Sequence, residues 1–598
     1  MGSPFVPEPH RIGIDAVVEA ALRCQATMNR FDCSKAFVFL CLFCLCLNGQ
    51  AQTTVQDIFG RNLNQHGITL VDWDGYMANP LLKFFLLPPT NGVLPGTATL
   101  TASGVRLYFD TPSSVSTSGP SKTISFTNAS TAVAVRLSIF PDRDSADEGY
   151  TLTIVFTGAN TAKQTNTVPI HVLDLDLQRT NDFVVTTNFD RDITGAFTNA
   201  TRRALVKQAA DDWTYFFAGM NLDSVKAGTE NTYIWSNNFS GGYYFLNTNS
   251  YTGYLLYAYG TTNSVHRSGG EGSYAGPVQT SGGTNLTIKR SGGFESEIYG
   301  NYNTLGWLFL TNDNDWLVSG NLGGETNDFY SIAHHEIGHA LIFNEAHPGF
   351  NTAKTNGAFT SAAVTNYFGG PVPIDSSDHL NGSIDPESGQ GAFGYEYYGS
   401  IPRKRWVMTK LDLLCAQEVG YVLRNSSAFM PLFLAVIDPP PFATQTIPYT
   451  LSFSNFALGG IPVYDWDITA GALPAGLTLD SFTGTISGTP TTNGAFSITL
   501  RVRDYHEGSG GISRTFPINV LPPPPVRLNV TLGGQGAGSQ VNILLSGTTG
   551  QRQVIQVSTN LSTWVPIATN ASGTNQFQYI DSNPMQFPQR FYRALIIQ

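Results

Sequence analysis

Apolar and polar residues alternate along much of the chain in short runs, which is the pattern of strands with one buried face. Thr97–Tyr108 and Val133–Ile139 show this alternation, and turn-forming residues separate such runs. The pattern returns after residue 430 and continues beyond the proline run Pro522–Pro525, which is typical of a stiff linker. We therefore predict β-sandwich modules over residues 52–178 and 430–522, and a C-terminal β domain over residues 525–598.

Two stretches in the middle of the chain carry apolar residues at helical spacing instead. Asn199–Phe217 has one mostly apolar face, and Asp328–Asn344 is apolar on both sides of a polar centre, with an acid at its start that can cap a helix. Leu305–Leu310 is a short apolar strand candidate ahead of the second helix. Residues 179–425 are thus predicted to form a mixed α and β domain between the β modules.

The polar centre of the second helix is an H-E-x-x-H motif. It consists of His335, Glu336 and His339, and positions four apart lie on the same face of a helix. Both imidazoles can therefore bind one metal ion, and Glu336 lies close enough to serve as a general base, as in zinc hydrolases. The alternative is a structural histidine pair. A structural site has no use for Glu336, whereas a catalytic site with a coordination position open to water needs a general base.

Composition narrows the possible functions. Only 13% of the residues are charged, the net charge is −11 and no basic tract is present, which excludes nucleic acid as an expected partner. Five of the six cysteines precede residue 47, and Cys415 alone follows. An intramolecular disulfide or a thiolate zinc cluster is therefore not expected after residue 51.

The N-terminal residues resemble a secretory signal. A weakly basic leader starts at Met28, which is a candidate for the true start, and an apolar core covers Ala36–Leu47. Small residues at Gly49 and Ala51 suit a cleavage site. We assign residues 1–51 to a signal peptide region and expect a secreted, extracellular or cell-surface protein. An uncleaved anchor is the alternative; no later apolar run is long enough to span a membrane.

A catalytic zinc needs a third protein ligand. The segment Ala362–His379, with Gly-Gly-Pro-Val-Pro before Ser377-Asp378-His379, resembles the bacterial relatives of leishmanolysin in the metzincin clan, and the resemblance extends over about residues 335–421. It implies an α+β zincin fold, Zn²⁺ bound by His335, His339 and His379, and Glu336 as general base. Glu345 and His347 follow the helix closely and remain alternative third ligands.

The resemblance has one clear departure. The family places a methionine beneath the zinc, and the corresponding position here is occupied by Tyr398. Met408 is the methionine near enough in sequence to replace it. The resemblance therefore implies that Met408 or Tyr398 forms the floor of the site.

The flanking modules resemble known β domains. Pro141–Leu152 and Ile170–Asp176 resemble a Calx-beta repeat, so their acidic residues are either a solvated loop or a Ca²⁺ site. Tyr464–Asp504 resembles the He-PIG Ig-like domain, and the last module resembles a small C-terminal β domain of secreted proteins from Verrucomicrobia-like bacteria. Both C-terminal modules are expected to be structural or to bind a surface polymer.

Together these features predict a multidomain protein, in which an α+β zincin/metzincin-like catalytic domain is flanked by Ig-like β-sandwich modules. The expected function is secreted, zinc-dependent endopeptidase activity on protein or peptide substrates. The alternative is a non-catalytic surface adhesin or polymer-binding protein with a structural zinc site. A different zinc hydrolase built on the same helix motif is a third possibility.

Overall fold

The computed structural model describes most of the chain after the expected signal region. It describes residues 52–597 except 91–93, 111–118, 128–130, 160–161, 177–182, 219–231, 237–242, 248, 263–267, 273–294, 301–306, 310, 312–326, 346, 395–404, 436–439, 507, 524, 534–539, 548–551, 572 and 583. The predicted signal peptide and Tyr398 lie outside the described residues.

The first nine strands form two sheets around a shared core, in the orders β1-β3-β7-β5 and β2-β9-β8-β4-β6. The strands are β1 (Thr54–Asp57), β2 (Ile68–Asp72), β3 (Leu82–Leu87), β4 (Gly96–Ala102), β5 (Leu107–Asp110), β6 (Ser121–Phe126), β7 (Val133–Ile139), β8 (Glu148–Gly158) and β9 (Gln164–Asp174). A short helix, α1 (Leu63–His66), follows β1. Alternate side chains of β9 are buried, as the alternating pattern requires.

One predicted strand of this region is two strands in the structure. The run Thr97–Tyr108 is divided between β4 and β5, because the chain turns at Ser103–Arg106 and the amide of Leu107 donates to the carbonyl of Gly104. The run Val133–Ile139 forms β7 with the predicted bounds.

The middle of the chain combines short strands with five helices. Its strands are β10 (Val185–Asn188), β11 (Thr232–Ser236), β12 (Tyr243–Asn247), β13 (Tyr254–Gly260), β14 (Ser268–Gly272), β15 (Glu295–Gly300), β16 (Trp307–Leu308), β17 (Asn327–Asp328), β18 (Lys354–Thr355), β19 (Ala358–Phe359) and β20 (Val372–Pro373). The main sheet has the order β10-β13-β15-β14, in which only β14 is antiparallel to its neighbour. Within the predicted strand Leu305–Leu310, the described part forms β16, which pairs with β17.

The helices begin where polar side chains can satisfy their free amides. They are α2 (Ala200–Tyr215), α3 (Phe329–Leu341), α4 (Pro348–Ala353), α5 (Ala362–Phe368) and α6 (Lys410–Val419). Asn199 caps α2, and Asp328 caps α3 by accepting from the amide of Ser331 at 3.1 Å. The two predicted helices are therefore present, each shorter than predicted because its terminal residues are caps or loop.

The remaining strands form two further β units. The first contains β21 (Phe433–Leu434), β22 (Ala443–Thr444), β23 (Tyr449–Ser452), β24 (Ala457–Leu458), β25 (Asp465–Gly471), β26 (Leu477–Asp480), β27 (Thr485–Gly488), β28 (Gly494–Arg503) and β29 (Ile512–Leu521). The second contains β30 (Arg527–Gly533), β31 (Gln540–Ser546), β32 (Arg552–Ser558), β33 (Val565–Asn570), β34 (Gln576–Asp581) and β35 (Phe591–Ile597). The two units have separate hydrophobic cores.

The N-terminal sheets and the helical middle region share one continuous core. The loop between β2 and β3 enters this core, and residues 71–80 are all buried. The Ig-like unit contacts the N-terminal region through Arg61, whose guanidinium donates to the carbonyl of Ser481 at 2.8 Å. It also contacts the helical region through His506, whose Nε2 lies 2.9 Å from Glu387 Oε1.

The architecture is thus multidomain and mostly β, with six α-helices among the described residues. In that same part of the chain, no helix combines the length and apolarity needed to cross a membrane.

Candidate metal centre

Helix α3 presents the two motif histidines on one buried face. His335 is 7% exposed, Glu336 is 3% exposed, and the rings of His335 and His339 lie 4.9 Å apart. The helix position is held at its end, where the hydroxyl of Tyr421 donates to the carbonyl of Leu341 at 2.5 Å. The helical spacing therefore produces the convergence that the sequence predicts.

His379 joins this pair from the loop that follows β20. Its Nε2 lies 3.2 Å from Nε2 of His339, and one ligand atom from each of the three histidines lies within 4.8 Å of the others. Two nitrogens at tetrahedral positions around zinc, each about 2.0–2.1 Å from the ion, are about 3.3 Å apart. The spacing of His339 and His379 fits that geometry.

The outer nitrogens of two rings are already engaged. Nδ1 of His339 lies 2.7 Å from the carbonyl oxygen of Phe343, which can only accept, so this nitrogen carries the proton. Nδ1 of His379 faces the carboxylate of Asp375 at 3.4 Å. Nε2 of His339 therefore presents its lone pair to Nε2 of His379. With the proton of His379 on the nitrogen beside Asp375, the two lone pairs face each other, an arrangement that a shared cation stabilises.

Burial keeps the three imidazoles neutral, which is the form that binds metal. It lowers the pKa of His335 well below the usual range and the pKa of His339 to about 3, and the neighbouring histidines act in the same direction. Burial also lowers the pKa of His379, while the Asp375 carboxylate opposes this effect. The site is therefore ready to bind a cation near neutral pH.

The two alternative third ligands lie elsewhere. The side chain of Glu345 is 77% exposed, and its Oε1 lies 3.3 Å from Nζ of Lys354. His347 caps helix α4, because its Nδ1 accepts from the amide of Gly349 at 3.1 Å. Among the described residues, the histidine cluster contains neither of them.

The ring of Phe393 forms the floor of the cluster. It stacks on His335 at 4.8 Å with an interplanar angle of 9°, and its centroid lies 4.7 Å from His339 and 5.9 Å from His379. Met408, one of the two predicted floor residues, is fully buried, and its carbonyl accepts from the amide of Ala78. The sequence does not predict this role for Phe393, since no local pattern distinguishes a phenylalanine beneath a metal site from one in a core.

Two glycines allow this close packing. A Cβ on Gly338, inside the motif, would lie 2.4 Å from Cε2 of Phe393. Gly394 has a φ of +88°, and its Cβ would lie 2.3 Å from Cγ of His379. The H-E-x-x-H helix and the His379 loop can therefore approach Phe393 only because both positions lack a side chain.

A buried ion network lies behind α3. Asp212 on α2 accepts from Arg143, whose Nη2 is 3.0 Å from Oδ2, and the same oxygen lies 2.9 Å from Nε2 of His334. Burial by itself raises the pKa of Asp212, but Arg143 and His334 lower it to about 2. The carboxylate is therefore ionised and links the N-terminal unit to the residue next to His335.

The acidic residues of the Calx-beta-like segment also lie together. Asp142, Asp144 and Asp174 each offer a carboxylate oxygen within 4.8 Å of the others. Asp142 is already 2.8 Å from Arg106, and Asp144 accepts from the amide of Ala146. This geometry is compatible with either a solvated loop or a Ca²⁺ site, the two interpretations that the sequence leaves open.

One family model matches the chain. Residues 434–520 match the He_PIG family, described as "Putative Ig domain", which agrees with the predicted Ig-like module at 430–522. No curated protein is significantly similar to the chain.

Solved structures show only weak similarity. A Bacteroides fragilis protein assigned as an alpha-galactosidase/melibiase is 25% identical over 14% of this chain and 16% of its own, with a TM-score of 0.12. The human desmocollin-1 ectodomain is 8% identical over 92% of this chain and 79% of its own, with a TM-score of 0.14. The chain spans less than a fifth of the length of the former, and neither similarity indicates a function.

Proposed function

We propose that this protein is a secreted zinc-dependent endopeptidase of the leishmanolysin-like metzincin type. The observation that carries the proposal is the pair of Nε2 atoms of His339 and His379, 3.2 Å apart, both with outward nitrogens engaged. With His335, these residues would hold Zn²⁺, as neutral imidazoles do. Zinc, when bound, would supply a Lewis acid that activates water and polarises a carbonyl group.

Glu336 has the role of proton carrier. It is buried at 3% exposure beside His335, and it is not a member of the three-histidine ligand set. A carboxylate so placed accepts a proton from the attacking water and returns it to the leaving amine. Among the described residues three histidines form the ligand set, which would leave a fourth position to water. Such a position and a general base together favour hydrolysis over a structural metal site.

The rival function is a surface adhesin with a structural zinc. Such a site needs a fourth protein ligand, and the nearest candidates in sequence, Glu345 and His347, are engaged elsewhere. The Ig-like and C-terminal modules would serve either function by holding the protein on a surface polymer. The two functions therefore predict different results for the zinc-loaded protein: the peptidase cleaves a protein substrate and the adhesin does not.

The test is digestion of an unfolded, carboxymethylated protein by the chain from residue 52 onward. We expect cleavage that a zinc chelator abolishes and that added Zn²⁺ restores. His379→Ala should abolish cleavage, whereas the matched variant His347→Ala should retain it, since His347 caps α4. Absence of cleavage by folded protein with one bound zinc would refute the peptidase proposal and favour the adhesin.

A further inference from the structure

The loop between β2 and β3 joins the N-terminal sandwich to the helical region. All ten residues from Val71 to Pro80 are buried. The amide of Ala78 donates to the carbonyl of Met408 at 3.0 Å, just ahead of α6, and the hydroxyl of Tyr215 on α2 donates to Asp74. Separating the two units would expose this buried loop and break its hydrogen bonds to Met408 and Tyr215.

Arg143 extends the same contact from the segment between β7 and β8. Its guanidinium carbon lies 3.6 Å from the centroid of the Tyr76 ring, which belongs to the buried loop. The guanidinium then reaches Asp212 on α2 through two nitrogens, at 3.3 Å and 3.0 Å. Asp212 is 1% exposed, so a cation from the sandwich compensates a carboxylate buried in the helical region.

Asp212 in turn holds helix α3. Its Oδ2 accepts from the hydroxyl of Tyr330 and lies 2.9 Å from Nε2 of His334, one helical turn further along. The neighbouring Trp213 donates from its indole nitrogen to the carbonyl of His334 at 2.8 Å. Three contacts from α2 therefore fix the turn of α3 that leads directly into His335.

We propose that the N-terminal sandwich is a permanent positioning unit of the metal site, with Arg143 as its positioning residue, rather than an inhibitory segment that is removed. The inference rests on the proposed function, since it concerns how that same site is held. Arg143 acts through Asp212, which orients His334 and with it the ligand face of α3. Removing the sandwich would take away the cation that compensates the Asp212 carboxylate beside the metal-binding helix.

The test compares variants of the full chain. Arg143→Met removes the charge at similar length, and Arg143→Lys keeps the charge but loses the two-pronged contact. Arg61→Met is the matched control, because Arg61 also crosses from the sandwich to another unit but contacts Ser481 instead of α2. The measurements are the zinc dissociation constant, by competition with a chromophoric chelator, and the visible spectrum of the Co²⁺-loaded protein.

Loss of an outer partner of a metal site typically weakens metal binding by roughly 10- to 100-fold. Arg143 does not bond a ligand itself but acts through Asp212 and His334, so we expect a loss towards the lower end of that range for Arg143→Met. We expect a smaller loss for Arg143→Lys, and a Co²⁺ spectrum altered in both variants but not in Arg61→Met. If Arg143→Met does not fold, Arg143→Lys should still bind zinc more weakly than the control Arg61→Met.

Wild-type zinc affinity and an unchanged Co²⁺ spectrum in both Arg143 variants would overturn the inference while leaving the proposed function intact. A wild-type protein that binds no zinc would instead overturn the proposed function and this inference with it. Both readouts are independent of peptidase activity.

Discussion

Gly394 provides a sharp test of the position of His379. The variant Gly394→Ala would place a Cβ 2.3 Å from Cγ and 2.4 Å from Cβ of His379. Carbon atoms pack at about 3.5 Å, so the His379 side chain would have to move away by about 1 Å. Metal–ligand distances tolerate only about 0.2 Å. The variant should therefore lose His379 as a ligand.

The backbone cost of the same substitution can be measured separately. Gly394 has a φ of +88°, and Gly369, at the end of α5, has a φ of +89° with no atom within 4 Å of its added Cβ. Alanine in this left-handed conformation costs about 1–2 kcal/mol at either position. Gly369→Ala is therefore a control that carries the backbone strain without the collision.

Both proteins are compared by thermal unfolding in chelator and by zinc competition titration. We expect backbone strain to lower the melting temperature of both variants by a similar amount. The collision with His379 should lower the melting temperature of Gly394→Ala further. Loss of a ligand should weaken zinc binding more than loss of a residue that only supports a ligand. Zinc affinity should therefore fall by at least roughly 100-fold in Gly394→Ala and stay near wild type in Gly369→Ala. Equal zinc affinities in the two variants would refute the placement of His379.

Three further outcomes are expected. Asp375→Asn should weaken zinc binding by roughly 10- to 100-fold in the same titration, because it removes the charge behind His379; unchanged affinity would contradict this. Phe393→Ala should destabilise the protein by about 3–5 kcal/mol in urea unfolding, since it empties the floor of the site; a loss below about 1 kcal/mol would show that the ring is not packed as described. Burial lowers the pKa of His506, but hydrogen bonds to two carboxylates raise it to about 9, so its stabilisation is complete below about pH 6.5 and is lost as pH rises through about 9. Melting temperatures from pH 6 to pH 10 should show this decline in the wild type and not in His506→Asn.

The sequence predicts those features that depend on neighbouring residues. The facing pair His335 and His339 follows from helical periodicity, and β7 follows from alternation. His379 is 40 residues from His339, and no periodicity predicts that their rings meet. Only the resemblance to a family predicts that His379 joins the pair, and in the structure the loop after β20 brings it there.

Other features depend on contacts that a single sequence does not record. Phe393 packs against all three histidines because Gly338 and Gly394 leave room, and the need for that room arises only in three dimensions. Arg143 and Asp212 are 69 residues apart and belong to different predicted domains. Their ion pair shows that the division at residue 178 separates units that share one core.

The most direct measurement of the central claim is hydrolysis by wild-type protein and Glu336→Gln, each shown to hold one zinc. Glutamine preserves the shape of the buried side chain but cannot accept the proton of water. We expect kcat/KM to fall by roughly 10²- to 10⁴-fold in Glu336→Gln at equal zinc content. Cleavage at the wild-type rate by zinc-loaded Glu336→Gln would contradict the account.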